Sequence, residues 1–419
     1  MKLLRRVLLL LAAALLFASA VQAQGRFALK EGDRVVFYGD SITDQRLYTV
    51  FTETYVVTRF PRLKVWFVHS GVGGDRVTGG WAGPIDVRLP RDVIAYKPTV
   101  MTIMLGMNDG SYRVWDDAIF HTYSTGYQHI IDTMKHALPS IRITVVQPSP
   151  FDDVTRTPSM GEGGYNAVLV RYGQFVKELG EREHLLVADM NAPVVDMLEK
   201  AKATDAELAQ KIIPDRVHPG DGGHLIMAEA LLKAWNAPAI VASVEIDAAA
   251  KHVAHAENAT VTGLKAGPGL AWNEADRALP MPLNMDDKAV SLSIHSSDFI
   301  EALDQEPLKV TGLASGRYAL KIDGEKVGDF SSDELQAGIN LATLPTPMAK
   351  QASQVQDLTR QHNAIHFARW RDVQVALKDN KLATEPAAVA ALDKLEEELV
   401  QQQRAAAQPK TRHFELAPE

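Results

Sequence analysis

From Arg34 onward the chain alternates short runs of apolar and β-branched residues with longer stretches of helical period. The runs at 35–38, 65–68, 100–105, 141–146 and 185–188 are short and rich in Val, Ile, Met and Phe, so they predict strands buried on both faces. Between and after them, the spacing predicts helices over 48–59, 123–136, 165–183, 192–210 and 223–235. Strands separated by helix-length segments are the pattern of βαβ units on a parallel sheet. Residues 25–238 therefore read as one doubly wound α/β domain.

Past Pro238 the texture changes. Short alternating segments such as Ser291-Leu292-Ser293-Ile294 and Tyr318-Ala319-Leu320-Lys321-Ile322, the latter followed by the turn pair Asp323-Gly324, predict a small β-rich region over 239–343. A helical region is expected over 344–406, with helices near 348–378 and 386–404. Residues 407–419 read as a frayed tail.

The N-terminus adds a compartment. Lys2, Arg5 and Arg6 precede an apolar run at 7–18, and Val21 and Ala23 follow with signal-peptidase spacing. Residues 1–23 thus read as a secretory signal peptide, cleaved near Ala23 to leave an exported, periplasmic or secreted chain without stable membrane insertion. The net charge of −8, with pI near 5.9, argues against a nucleic-acid partner, which needs a clustered cationic surface. With no cysteine, disulfides, thiolate nucleophiles and cysteine–zinc sites are all excluded. Oligomeric state has no signature in the sequence.

What remains is oxygen and nitrogen chemistry, and four segments offer it. Gly39-Asp40-Ser41 ends the first strand and puts a serine at the carboxyl edge of the sheet, where open α/β folds bind ligands. Gly71-Val72-Gly73-Gly74-Asp75 follows the second strand, and Gly106-Met107-Asn108-Asp109 the third. Asp215-Arg216-Val217-His218-Pro219 precedes the last helix of the domain. A serine needs a neutral imidazole to take its proton, and that imidazole needs an acceptor on its other nitrogen. Ser41, His218 and Asp215 can fill these roles. The Ser41 and Gly74 N–H groups and the Asn108 amide are candidate donors to an oxyanion. None of this chemistry requires a metal or organic cofactor.

Together the four segments resemble the SGNH hydrolases, also called the GDSL esterase/lipase family, whose letters fall here on Ser41, Gly74, Asn108 and His218. The resemblance covers about residues 33–236. It implies a three-layer α/β/α sandwich and ester hydrolysis through an acyl-enzyme. Many members carry Asn shortly before the glycine turn, where this chain has His69-Ser70-Gly71, which opens the question of what holds that turn. The resemblance implies nothing about residues 239–419.

Other residues have plainer readings. Asp40 and Asp44 read as turn and capping groups, and Asp109 as a loop hydrogen-bonder. His224 lies six residues past His218, which misses the helical i, i+4 metal spacing. Trp81, Tyr112 and Trp115 stand in loops that could rim a cleft for sugar rings or acyl chains, although packing of those loops is the simpler role. His362, His366 and Arg369 share a helix face, solvated or docked. The expected activity is removal of a short acyl group, acetyl foremost, from a small-molecule or polysaccharide ester. Two alternatives stand beside it: a lysophospholipase, lipase or thioesterase for longer chains, and a non-catalytic secreted glycan-binding protein.

Overall fold

The computed structural model describes residues 26–419 except 162 and 381, so the signal segment at 1–23 lies outside the described residues. Five parallel strands form the central sheet: β1 (Arg34–Gly39), β2 (Trp66–Gly71), β3 (Val100–Met104), β4 (Arg142–Gln147) and β5 (Leu186–Asp189), in the order β2-β1-β3-β4-β5. Every residue of β3, and all of β1 after Arg34, is buried, as an apolar strand covered on both faces must be. Helices on either face complete the three-layer α/β/α sandwich. Those named below are α1 (Ser41–Asp44), α2 (Leu47–Arg59), α3 (Asp117–Ala137), α4 (Gly164–Glu183) and α5 (Asp221–Ala234).

The chain leaves β1 for β2 on one side and returns to β3 on the other, so the topology switches direction at β1. Register brings the three strand ends level, with Gly39 opposite both Gly71 and Met104. The segments carrying Ser41, Gly74 and Asn108 therefore emerge side by side at the switch point, where such sheets open a crevice.

The remaining chain builds a second core. A mixed sheet contains β6 (Ser243–Asp247), β7 (His252–Glu257), β10 (Pro307–Thr311) and β13 (Ile339–Asn340). An antiparallel sheet runs in the order β8 (Ala259–Ala266), β9 (Leu270–Asp276), β14 (Arg412–Pro418), β11 (Arg317–Ile322), β12 (Glu325–Ser331). Their apolar faces share a core that includes Ile246, Val310, Trp272, Leu320 and Phe414, joined by Met348, Ala352 and Val355 of α6 (Pro347–Phe367). Asp323 and Gly324 both take positive φ, which fits the tight hairpin expected between β11 and β12.

Three local expectations fail for identifiable reasons. Residues 407–419 are not a frayed tail: β14 is the middle strand of its sheet, Phe414 and Leu416 are buried, and Phe414 stacks on Trp272 with centroids 5.1 Å apart. Ser291–Ile294 is not a strand but part of the helix Lys288–His295, because Asp287 caps it by accepting the Ala289 and Val290 N–H groups. On that helix Val290 and Ile294 fall one turn apart and pack into the first core. The helix expected over 192–210 breaks at Asp205, whose extended backbone and side chain cap a separate turn, Ala206–Ala209.

Candidate active site

Ser41 is the first residue of α1, so its backbone N–H has no intrahelical acceptor. Asp40 caps that helix by accepting the Ile42 N–H at 3.0 Å. Burial pushes Asp40 up to about 7 against that hydrogen bond, with the negative charges of Asp109 and Asp75 adding to the shift. Asp109 accepts the Val77 N–H at 2.9 Å and is likewise pushed up to about 7 by burial. Asp40 thus caps a helix and Asp109 holds loop backbone, as their sequence context predicts.

His218 arrives from the far end of the domain. Its Nε2 lies 2.8 Å from Ser41 Oγ, and its Nδ1 lies 2.6 Å from Asp215 Oδ2. Asp215 Oδ1 also accepts the Val217 and His218 N–H groups at 2.9 and 2.7 Å. Partial burial raises the Asp215 pKa, but these bonds from His218 and Val217 outweigh it, leaving the carboxyl below its ordinary value. Between them Arg216 adopts φ 72°, a left-handed strain held by its guanidinium, which donates to the Asp152 and Thr157 carbonyls, and by its own carbonyl, which accepts the Asp152 N–H. Arg156 clamps the same turn by donating to the carbonyls of Gln210, Ile213 and Pro214.

The glycine turn lies beside the serine, since a Cβ at Gly73 would stand 3.9 Å from Ser41 Cβ. Gly74 has φ +78°, and a Cβ there would meet nothing within 4 Å, so this left-handed turn faces open space. Asn108 donates one amide hydrogen to the Asp75 carbonyl at 3.1 Å, while its Oδ1 accepts the Tyr112 hydroxyl at 3.1 Å. An amide fixed at both ends has one N–H left for a ligand. Burial, with Asp40 and Asp215 nearby, pushes Tyr112 up to about 12, so it remains a donor.

The glycine turn is held by its own backbone and by Asp44. Val72 N–H donates to Gly39 O, Asp75 N–H to Val72 O, and Gly73 N–H to Asp44 Oδ2. His69 instead faces α2, 2.7 Å from Thr49 Oγ1. Gly71 is demanded by close packing, because a Cβ there would sit 2.3 Å from the Asp44 nitrogen.

The aromatic residues divide. Trp81 is 60% exposed and donates its indole N–H to the Gly73 carbonyl at 3.0 Å, which sets a broad apolar face beside the glycine turn. Tyr112 positions Asn108. Trp115 packs against Phe120 and Tyr172, with the Arg171 guanidinium over its ring. Both His224 nitrogens are occupied, Nδ1 by the Tyr48 N–H and Nε2 by Gln45 Oε1. Burial holds this ring near pKa 3 and therefore neutral, with the His218 charge adding to the effect.

Several contributors have no clear mark in the sequence. Gln45 joins the serine helix to the histidine loop by donating to the Pro219 carbonyl at 3.2 Å. Asp75 and Asp92 are paired with the buried Arg88, directly beneath the glycine turn. His362 and His366 are docked rather than solvated: Glu53 Oε1 lies 2.7 Å from His362 Nε2, and Glu396 pairs with both imidazoles. A signal existed only for that helix face, in its i, i+4 histidines.

Such an edge can bring a serine, its base and an oxyanion pocket onto one ester carbonyl. Residues 37–226 match the GDSL-like Lipase/Acylhydrolase family. The acetylxylan esterase of Geobacillus stearothermophilus is 28% identical over 226 residues, which cover 48% of this chain and 93% of the relative. The solved structure of a gut microbial diltiazem-metabolizing enzyme superposes with TM-score 0.80 at 27% identity, covering 94% of this chain and all of that one. Its likeness thus extends over the second core as well. Fold and family define a carboxylic ester hydrolase. Residues 37–226 belong to the SGNH hydrolases, the GDSL family.

Proposed function

We propose that the protein is an exported serine esterase that removes a short acyl group, acetyl foremost, from a carbohydrate hydroxyl. The observation that carries this reading is the unbroken contact series from Ser41 Oγ through His218 to Asp215, at 2.8 and 2.6 Å. Ser41 Oγ attacks the ester carbonyl as His218 Nε2 takes its proton. The carbonyl oxygen gathers negative charge opposite the Ser41 and Gly74 N–H groups and the free Asn108 N–H. His218 then gives its proton to the departing alkoxide, leaving an acetyl-serine. Water attacks that ester with His218 again as base, and acetate and free serine result. Asp215 holds the imidazole tautomer throughout and stabilises its cation.

Support for an acetyl-sugar substrate comes from the acetylxylan esterase relative and from the exposed Trp81 ring beside Gly73, an apolar platform suited to a sugar face. Support for export is the basic and apolar N-terminus with small residues at Val21 and Ala23. Among the described residues no helix is long and apolar enough to cross a membrane. The test is a series of acyl esters from two to sixteen carbons, run beside acetylated oligosaccharides. Activity should peak at acetyl, and a peak at long chains would replace this reading with a lipase. No turnover of activated acetates, together with no labelling of Ser41 by a phosphonofluoridate, would leave a glycan-binding protein instead.

A further inference from the structure

Beyond α6 the helix relaxes into a π-helical stretch, Ala368–Val375, a departure often found at functional sites. Two adjacent side chains of this stretch reach the glycine turn from different directions. Trp370 is 1% exposed and sits in a small apolar cluster with Val72, Ala82 and Val375. Its indole N–H donates to Asp92 Oδ1 at 2.8 Å. Asp92 pairs with Arg88, which in turn donates to Asp75 Oδ2 through Nη2 at 2.6 Å and Nε at 2.9 Å. Asp75 ends the turn, and its carbonyl holds Asn108. Trp370 thus shares an apolar cluster with Val72 on one side of the turn and reaches the other side through Asp92 and Arg88.

Arg371 takes the middle of the turn. Its Nη2 lies 3.3 Å from Asp44 Oδ2, the oxygen that accepts the Gly73 N–H. Its guanidinium also lies 4.3 Å over the ring of Trp81, whose indole donates to the Gly73 carbonyl. The groups fixing Gly73 on both sides therefore both rest on Arg371. Gly73 adjoins the nucleophile, since a Cβ there would stand 3.9 Å from Ser41 Cβ. Arg371 Nη1 is buried without a hydrogen-bond partner. An unsatisfied buried donor costs stability, so docking alone would be better served by an apolar residue.

We infer that Arg371 and Trp370 are positioning residues for the esterase reaction, setting the glycine turn whose Gly74 N–H and neighbouring Asn108 face the oxyanion. The C-terminal helical region is then part of the catalytic unit rather than an appendage. The inference rests on the serine-esterase reading above. Small shifts of a preorganised donor suffice to matter, because a misplacement of about 1 Å can cost about 10²-fold in rate.

The experiment compares the full-length protein with Arg371→Met, Arg371→Lys and Trp370→Phe. Active serines are counted with a phosphonofluoridate, an activated aryl acetate supplies the steady-state rates, and an alkyl boronic acid probes binding of a tetrahedral mimic. In Arg371→Met, kcat per labelled serine should fall about 10-fold or more with KM nearly constant, and boronate affinity should fall in parallel. Lys should restore part of the loss, and Trp370→Phe, which removes only the N–H to Asp92, should move kcat in the same direction. If the Met variant does not fold, the Lys and Phe variants carry the test. A loss under about fivefold per labelled serine in every folded variant, or a change confined to KM, would overturn the inference. An inactive parent protein with an unlabelled Ser41 would instead defeat the esterase reading on which it rests.

Discussion

His218 Nε2 stands 2.8 Å from Ser41 Oγ although 177 positions separate the two residues. The contact joins the first residue of α1, just past β1, to the turn before α5, and Gln45 pins the two together one residue beyond the histidine. A serine so placed has its proton acceptor in hydrogen-bond contact before any ester arrives.

Ser41→Ala and His218→Ala are each expected to lower kcat by at least about 10⁴-fold, and Asp215→Asn by about 10²–10⁴-fold. Thermal unfolding should shift little in any of them, because none of the three side chains belongs to the apolar core. Steady-state hydrolysis of an aryl acetate checks this, and a variant of Ser41 or His218 with parental turnover would end the assignment of that residue.

The oxyanion side separates a direct donor from its support. Asn108→Ala should cost about 10²–10³-fold in kcat by removing a donor. Tyr112→Phe keeps the ring and loses only the hydroxyl that fixes the Asn108 amide, so a smaller loss of about 10-fold is expected. Equal losses in the two variants would mean that Tyr112 does more than orient the amide.

The buried network between α2 and the C-terminal helices should make stability depend on pH. Burial would raise Glu53, but the His362 charge and bonds from His362 and His69 bring it to about 2. Burial would lower His362, but Glu53 and Glu396 raise it to about 9. His69 is held near 4 by burial, against its bond to Glu53, while Glu396 is brought to about 2 by bonds from His362 and His366 despite burial. A raised His362 stabilises the fold fully below its ordinary value of 6.5, and that contribution is lost as pH rises through 9. The lowered Glu53 and Glu396 stabilise above 4.5 and lose that contribution as pH falls through about 2. Neutral His69 adds to the acid-side loss between 6.5 and 4. Melting temperature should therefore decline on both sides of mildly acidic pH, and Glu53→Gln should flatten the alkaline decline. An unchanged alkaline slope in that variant would show that the His362–Glu53 pair does not control it.

Phe414→Ala tests the C-terminal strand. The side chain is fully buried against Trp272 in the middle strand of a sheet, so the expected cost is about 3–5 kcal/mol, measured by denaturant unfolding. A cost below about 1 kcal/mol would fit a surface tail rather than a core strand.

The sequence by itself determined the parallel sheet and the four chemical segments. Buried parallel strands must be continuously apolar, and each reactive residue sits in a short local motif just past a strand or before a helix, so both leave marks within a few residues. Other features depended on partners distant in the chain. Arg412–Pro418 becomes a strand because β9 and β11 flank it, although the polar–apolar alternation through His413, Phe414, Glu415 and Leu416 was already present. Helix Lys288–His295 follows from the Asp287 cap and from the first core receiving Val290 and Ile294. The roles of Asp44, Arg88, Gln45 and Arg371 follow only from charge pairs and hydrogen bonds closed by the tertiary fold, where their side-chain identities carry no periodic pattern. Local periodicity encodes elements and motifs. Which buried charge meets which donor is decided when layers pack, because a buried ion must find its partner wherever the chain has placed one.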